Sequence, residues 1–237
     1  MNQLSGLTAV VTGAGRGIGR AIALALGSEG CNLVLISRTI SQLEETASLI
    51  NNKNLRIECI KGDISKESDV NLIHKKVIDK FGDIDILVNN AGVGYFKKNV
   101  IEMDVKEYDE MFDINMRGLF LITKTFLPAM IRKNNGDIVN ISSLAGRNAI
   151  EGGAVYAATK WAVIGFSRSL MLEVRKHNIR VITVCPGSVN TTFSDSGQNR
   201  ISIPQPEDIA RVVIDALLMP RNVMVSEIDV RPTNPIK

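Results

Sequence analysis

Short runs of β-branched and aliphatic residues alternate with longer segments of helical periodicity along the whole chain, and this alternation restricts the fold more than any other feature. The extended runs fall at 8–12, 32–37, 56–61, 84–89, 137–142, 180–185 and 224–230. Between them, residues 18–28, 41–51, 69–81, 105–133, 155–176 and 206–218 space their apolar side chains at a period of about 3.6. Leu33-Val34-Leu35-Ile36 and Val181-Ile182-Thr183-Val184 are nearly unbroken apolar runs, as strands buried on both faces require. The pattern predicts an α/β domain: a doubly wound parallel sheet of about seven strands with helices on both faces. In such sheets ligands bind outside the carboxyl ends of the strands, so the residues that follow each strand carry the functional information.

Composition removes the competing classes. Lys plus Arg number 28 against 25 Asp plus Glu, a net charge of +3, and the basic residues are dispersed rather than striped, which argues against nucleic acid as a partner. No run approaches the roughly 20 apolar residues of a membrane span. The first residues lack the charged and apolar regions of a signal peptide, so a cytoplasmic location is expected. Cys31, Cys59 and Cys185 contain no C-x-x-C pair and read as buried free thiols. With two histidines, a His-rich metal site or a Ser-His-Asp hydrolase is hard to assemble, and no metal is expected.

The first strand runs directly into Thr12-Gly13-Ala14-Gly15-Arg16-Gly17-Ile18-Gly19, and a helix follows at once. Glycines there allow a tight turn and let backbone N–H groups approach a pyrophosphate at the helix N-terminus. Three residues separate Gly13 from Gly17, and with that spacing the chain resembles the short-chain dehydrogenase/reductase family. Further motifs follow in that family's order. Asn89-Asn90-Ala91-Gly92 comes after the fourth strand, Asn115 lies in the next long helix, and Ser143 follows the fifth strand. Tyr156 and Lys160 form Tyr-x-x-x-Lys, and Pro186-Gly187 ends the sixth strand. The match runs along the whole chain, so a single NADP-binding Rossmann domain over residues 1–237 is expected.

The chemistry can also be argued from the residues. Tyr156 and Lys160 are i, i+4 on one helix face. A phenol of pKa about 10 works near neutrality when an ammonium stabilises its anion, and the same lysine can hydrogen-bond a cofactor ribose. Ser143 can donate to a substrate carbonyl oxygen. The resemblance implies that Tyr156 is the general acid for reduction, that Ser143 orients the substrate, and that Lys160 tunes the tyrosine. It implies that Asn115 holds a water of the proton relay. For the cofactor, an NAD enzyme tends to carry a carboxylate at the tip of the second strand, whereas this strand ends Ile36-Ser37-Arg38-Thr39. Arg38 and Arg16 can clamp a 2′-phosphate, which favours NADP. The resemblance adds Asp63 and Ile64 at the adenine, with Val189 and Thr191 at the nicotinamide carboxamide; Asp63 also reads as a turn residue.

On the substrate side the resemblance points to Tyr95, Phe96, Leu144, Ile150, Val189, Phe193 and Ile201, an apolar set that suits acyl chains, aromatic ketones or steroids equally. Arg147 and Glu151 read as rim salt-bridge partners. Arg132, Lys133 and Arg168 are candidates for a basic surface facing an acyl carrier protein. Residues 190–202 read as a lid beside the site. The chain ends without the Gly-Gly tail of many 3-oxoacyl-(acyl-carrier-protein) reductases, an ending more like members that oxidise small 3-hydroxy acids or reduce general carbonyls. The expected function is NADP-dependent reduction of a ketone of 3-oxoacyl type, on a small molecule or an acyl thioester. A dehydrogenase of a free 3-hydroxy acid or a general carbonyl reductase is the alternative, and a non-catalytic NADP sensor is the reading outside that class. The resemblance also implies a homodimer or homotetramer paired through the long helices, with Trp161, Phe166 and Met171 either on that surface or in the core.

Overall fold

The structure is a computed structural model and describes residues 3–193 and 202–234. Seven strands form one parallel sheet: β1 (Thr8–Thr12), β2 (Asn32–Ser37), β3 (Ile57–Lys61), β4 (Ile86–Asn89), β5 (Gly136–Ile141), β6 (Ile179–Pro186) and β7 (Glu227–Val230). Their order is β3-β2-β1-β4-β5-β6-β7, so the winding reverses between β1 and β4. Among the described residues, seven α-helices accompany them: α1 (Gly17–Ser28), α2 (Ile40–Ser48), α3 (Glu67–Phe81), α4 (Val105–Phe112), α5 (Leu119–Lys133), α6 (Ala154–Val174) and α7 (Pro206–Leu218). This is the Rossmann-type α/β domain that the alternation predicts.

The unbroken apolar strands divide their side chains by the two-residue period. Leu33 and Leu35 join Val11, Ile182 and Val184 in a core closed by α1 and α7. Val34 and Ile36 point the other way, with Val10 and Val181, into a core closed by α3, α5 and α6. A strand with one polar face could not be covered from both sides, and polar residues at Leu33 and Val34 alike would be buried.

Three expectations are corrected. The helix predicted over 105–133 is interrupted: α4 and α5 flank a π-helical turn, Asp113–Gly118, which brings Gly118 against Ile64 so closely that a Cβ there would lie 2.7 Å from the Ile64 side chain. The strand predicted over 224–230 begins only at Glu227, because the Met224 thioether, rather than a backbone carbonyl, accepts from the Val181 N–H at 3.4 Å. Cys31 and Cys185 are buried, but Cys59 is half-buried; all three are free thiols. Trp161 is exposed on α6, as are Phe120 on α5 and Leu172 on α6, whereas Phe166 and Met171 pack against the second core. Of the candidate lid, residues 194–201 lie outside the described residues. No helix among the described residues is long and apolar enough to cross a membrane.

Candidate active site

The winding reversal opens a crevice beyond the carboxyl ends of β1 and β4, and the residues there are stitched across it. The Thr12 hydroxyl donates to the Val88 carbonyl at 3.3 Å and accepts from the N–H groups of Asn90 (3.0 Å) and Ala91 (3.1 Å). The Asn90 amide donates back to the Thr12 carbonyl at 3.0 Å. These bonds fix the turn after β4 against the glycine loop. Gly13 sits at φ +66°, and a Cβ there would lie 2.9 Å from the Ala91 Cα; Gly17, at φ +54°, opens α1. Arg20 anchors the same loop by donating from Nε (3.1 Å) and Nη2 (2.6 Å) to the Gly15 carbonyl, and its guanidinium also donates to the Thr46 hydroxyl and to both Glu45 oxygens. The first turn of α1 has neither a side-chain cap nor an acidic residue. Its N–H groups are therefore left for an anion, and the glycine loop leaves room for one. The pyrophosphate of a dinucleotide fits this cradle.

A cavity of about 850 Å³ extends from there in both directions. Toward β2 it is lined by Gly15, Arg16, Ser37, Arg38, Asp63 and Ile64; across the middle by Gly13, Gly17, Ile18, Gly19, Asn90, Ala91 and Gly92; and toward β6 by Ser143, Tyr156, Lys160, Pro186, Gly187, Val189 and Thr191. Every residue nominated for the cofactor lines it. Gln42, Ser188 and Asn190 also do, and no motif marked them. Asp63 accepts from the Ser65 N–H (3.0 Å) and hydroxyl (2.7 Å), so it closes a turn as well as facing the cavity.

At the β5 and β6 end, α6 brings up Tyr156 and Lys160, both buried. Ser143 stands two residues beyond β5, in extended conformation; its hydroxyl accepts from the Ala145 N–H at 3.1 Å, donates to the Pro186 carbonyl at 3.4 Å, and is hydrogen-bonded to Tyr156. Burial pushes the Tyr156 phenol up to about 12, opposed by the Ser143 bond, and pushes the Lys160 ammonium down to about 8. The Lys160 Nζ donates to the Ile141 carbonyl at 3.0 Å and stands 5.8 Å from the centre of the Tyr156 ring, and loss of hydration is the largest influence on both groups. Asn115 does not line the cavity. Its amide donates to the Val93 carbonyl (2.8 Å) and Thr159 hydroxyl (3.0 Å), and its oxygen accepts from the Val93 N–H (2.8 Å). The side chain thus pins the loop after β4 to the π-helical turn, and Gly92 passes between Asn115 and Lys160, where a Cβ would lie 3.2 Å from the Asn115 oxygen and 3.7 Å from the Lys160 Nζ.

Beside Tyr156 the cavity is aromatic and aliphatic. The Phe96 ring meets the Tyr156 ring edge-on at 4.8 Å, and Phe193 stands 5.9 Å from Phe96 and 6.0 Å from Tyr156. Val93, Leu144, Ile150, Ile203 and Pro232 complete this wall, with Asn148 as a polar member. Tyr95 is corrected: it does not line the cavity, and its hydroxyl instead donates to Glu110. Ile201 lies outside the described residues. Arg147 is a salt-bridge partner, of Glu227 and of Asp229 (2.9 Å). The three basic residues proposed to face a carrier protein are each paired with a carboxylate: Arg132 with Asp83, Lys133 with Asp85 and Arg168 with Glu227.

A dinucleotide-sized cleft at the reversal of a parallel sheet, with a serine, tyrosine and lysine gathered at one end, defines a class: nucleotide-dependent oxidoreductases. The chain belongs to the short-chain dehydrogenase/reductase family, whose model, described as short chain dehydrogenase, matches residues 7–200. An uncharacterized oxidoreductase of Staphylococcus saprophyticus is 37% identical over 234 residues, covering 98% of this chain and 100% of the relative. An alcohol dehydrogenase of the archaeon Thermococcus sibiricus complexed with 5-hydroxy-NADP superposes with a TM-score of 0.89 at 34% identity, over 96% of this chain and 97% of that one. A metagenomic short-chain oxidoreductase in complex with NADP gives 0.86 at 38% identity, over 98% of this chain and 99% of that one.

Proposed function

We propose that this oxidoreductase uses NADP(H) and reduces an apolar ketone to a secondary alcohol. The observation that carries the reading is a single cavity with Arg16 and Arg38 at one end and Ser143, Tyr156 and Lys160 at the other. The residues that end β2 and follow it, Ser37-Arg38-Thr39, carry no carboxylate of the kind that binds a ribose 2′-hydroxyl, and the Arg16 and Arg38 guanidinium groups are suited to binding a 2′-phosphate. The Gly13–Gly19 loop, Arg16 and Arg38 would hold NADPH, which would supply a hydride to a carbonyl carbon seated beside Tyr156.

The chain's own residues manage the oxygen. Phe96, Phe193 and Leu144 would seat the substrate's apolar part and exclude water from the reacting end. The Ser143 hydroxyl donates a hydrogen bond to the carbonyl oxygen where negative charge develops. The Tyr156 phenol, held neutral by burial, donates its proton to that oxygen. Lys160 would bind ribose hydroxyls, and its charge, brought to bear once its Nζ leaves the Ile141 carbonyl, would stabilise the phenolate left behind. Asn115 acts by holding Val93 and the neighbouring backbone in place. Within the substrate class, family resemblance supports a 3-oxoacyl thioester, while the paired states of Arg132, Lys133 and Arg168 and the placement of Pro232 in the cavity wall support a general ketone.

NADPH oxidation, compared with NADH, over a panel of acetoacetyl thioesters, aryl ketones and aliphatic ketones tests the reading. A preference for NADPH of at least tenfold in kcat/KM with an apolar ketone is the expected result; turnover with NADH alone would overturn the cofactor assignment. A pH profile adds an independent check. Lys160 is charged below its pKa of about 8 and neutral above it, while Tyr156 stays protonated to about 12. Because kcat/KM for NADPH reports groups of the cofactor-free enzyme, its value should fall as pH rises through about 8. A profile level to pH of about 10 would remove Lys160 from the mechanism.

A further inference from the structure

The adenosine end of the cavity is shaped by a residue outside the cofactor motifs. Glu110, in the last turns of α4, reaches Arg38 across the cleft: its Oε1 accepts from Arg38 Nη1 at 3.1 Å. Its Oε2 accepts from the Tyr95 hydroxyl at 2.5 Å. The Tyr95 bond, followed by the Arg38 contact, holds the Glu110 carboxyl below the usual carboxylate range against the opposing effect of burial, so the carboxylate is charged at neutral pH. Arg38 makes no other hydrogen bond among the described residues. Its Nε and Nη2, the edge of a guanidinium that matches two oxygens of a phosphate, therefore have no partner among the described residues.

We infer that Glu110 is a positioning residue for cofactor selection: it holds Arg38 by one nitrogen so that the Nε–Nη2 edge is presented to the 2′-phosphate of NADPH, and Tyr95 holds Glu110 in turn. The inference rests on the reading of Arg38 as a phosphate ligand. The Arg38 side chain is 56% exposed, so without an anchor it samples many rotamers that binding must then freeze. A pre-set guanidinium removes that ordering cost from cofactor binding. Repulsion between the Glu110 carboxylate and the phosphate opposes the effect, but the carboxylate is partly exposed (35%) and shielded by solvent and by Arg38 between them. The Tyr95 link explains why this aromatic residue of the loop after β4 turns away from the substrate cavity.

Dissociation constants of NADPH, NADH and 2′,5′-ADP, measured by nicotinamide fluorescence and calorimetry without any substrate, test the assignment. Glu110→Gln and Tyr95→Phe should each weaken NADPH and 2′,5′-ADP by roughly two- to tenfold, the ordering of one long side chain, and leave NADH within about twofold. In an Arg38→Ala background, Glu110→Gln should have no further effect. Unchanged or tighter NADPH binding in Glu110→Gln would overturn the inference, since the carboxylate would then only compete with the phosphate. Equal weakening of NADPH and NADH would overturn it too, as a general structural effect. Arg38→Ala separates the two levels of the argument: if it fails to weaken NADPH, the phosphate reading of Arg38 falls and the role of Glu110 with it; if only Glu110→Gln is silent, the positioning role alone falls.

Discussion

Tyr156→Phe should lower kcat for ketone reduction by about 10²- to 10⁴-fold, the range a positioned general acid contributes. The substitution removes one oxygen and keeps the ring, so the edge-on contact with Phe96 at 4.8 Å and the burial against Met111 and Ala157 persist. The variant should therefore fold, and its melting temperature separates lost chemistry from lost structure. What disappears is the proton that the phenol would give the carbonyl oxygen, together with its hydrogen bond to Ser143. Because burial holds the phenol up to about 12, the parent enzyme keeps this acid protonated at every pH where it is assayed, and raising the pH should not imitate the mutation below that value. A kcat within tenfold of the parent at saturating ketone and NADPH would exclude Tyr156 as the acid.

The parts of the fold that the sequence exposes are those where local chemistry and tertiary environment demand the same thing. β1, β2 and α7 fall at the residues expected, because aliphatic strands covered on both faces and a helix opened by Pro206 need no distant partner to be recognised. The π-helical turn is different. It places Gly118 against Ile64, fifty-four positions earlier in the chain, and no periodicity within residues 105–133 encodes that encounter. The site follows the same division. The glycine loop, Ser143, Tyr156 and Lys160 are readable because their spacing is itself the mechanism: a tight turn, a strand end, one helix face. Thr12 and Arg20 are not, since a threonine ending a strand and an arginine in an amphipathic helix are ordinary, and only the folded chain shows them fastening Asn90 and Gly15. Tyr95 lies in the loop expected to line the substrate cavity, yet a carboxylate from α4 turns it elsewhere. Lys160 is placed where the motif puts it, but the balance between its charge and its desolvation depends on burial that spacing cannot report.

Asp137→Ala should cost about 3–5 kcal/mol of stability, the penalty for leaving a buried ionic partner uncompensated. Asp137, second residue of β5, lies opposite Arg180 of β6 at the amino ends of these strands, far from the catalytic end, and both side chains are almost fully buried, 6% and 5% exposed. Arg180 Nε donates to the carboxylate at 2.6 Å, and Arg221 Nη1 donates to both of its oxygens at 2.9 and 2.8 Å. Arg180 also donates to the Leu217 carbonyl (2.8 Å) and the Met219 carbonyl (2.9 Å), so one guanidinium joins the sheet to the otherwise unsatisfied C-terminal end of α7. Removing the carboxylate leaves Arg180 charged, dry and facing only backbone dipoles; Arg221, which is 45% exposed, can turn to water. An exposed ion pair would contribute only about 0–1 kcal/mol, so the size of the loss reports the burial rather than the pairing as such. In a chain of this length the loss corresponds to a melting temperature lower by roughly 6–20 °C. Asp137→Leu combined with Arg180→Met should recover part of it by removing the stranded charge, though not all, because the α7 carbonyls then lack a donor. Chemical denaturation with an unchanged m-value measures each difference directly. A loss under about 1 kcal/mol for Asp137→Ala would mean that water reaches Arg180, and that this corner of the sheet opens in solution.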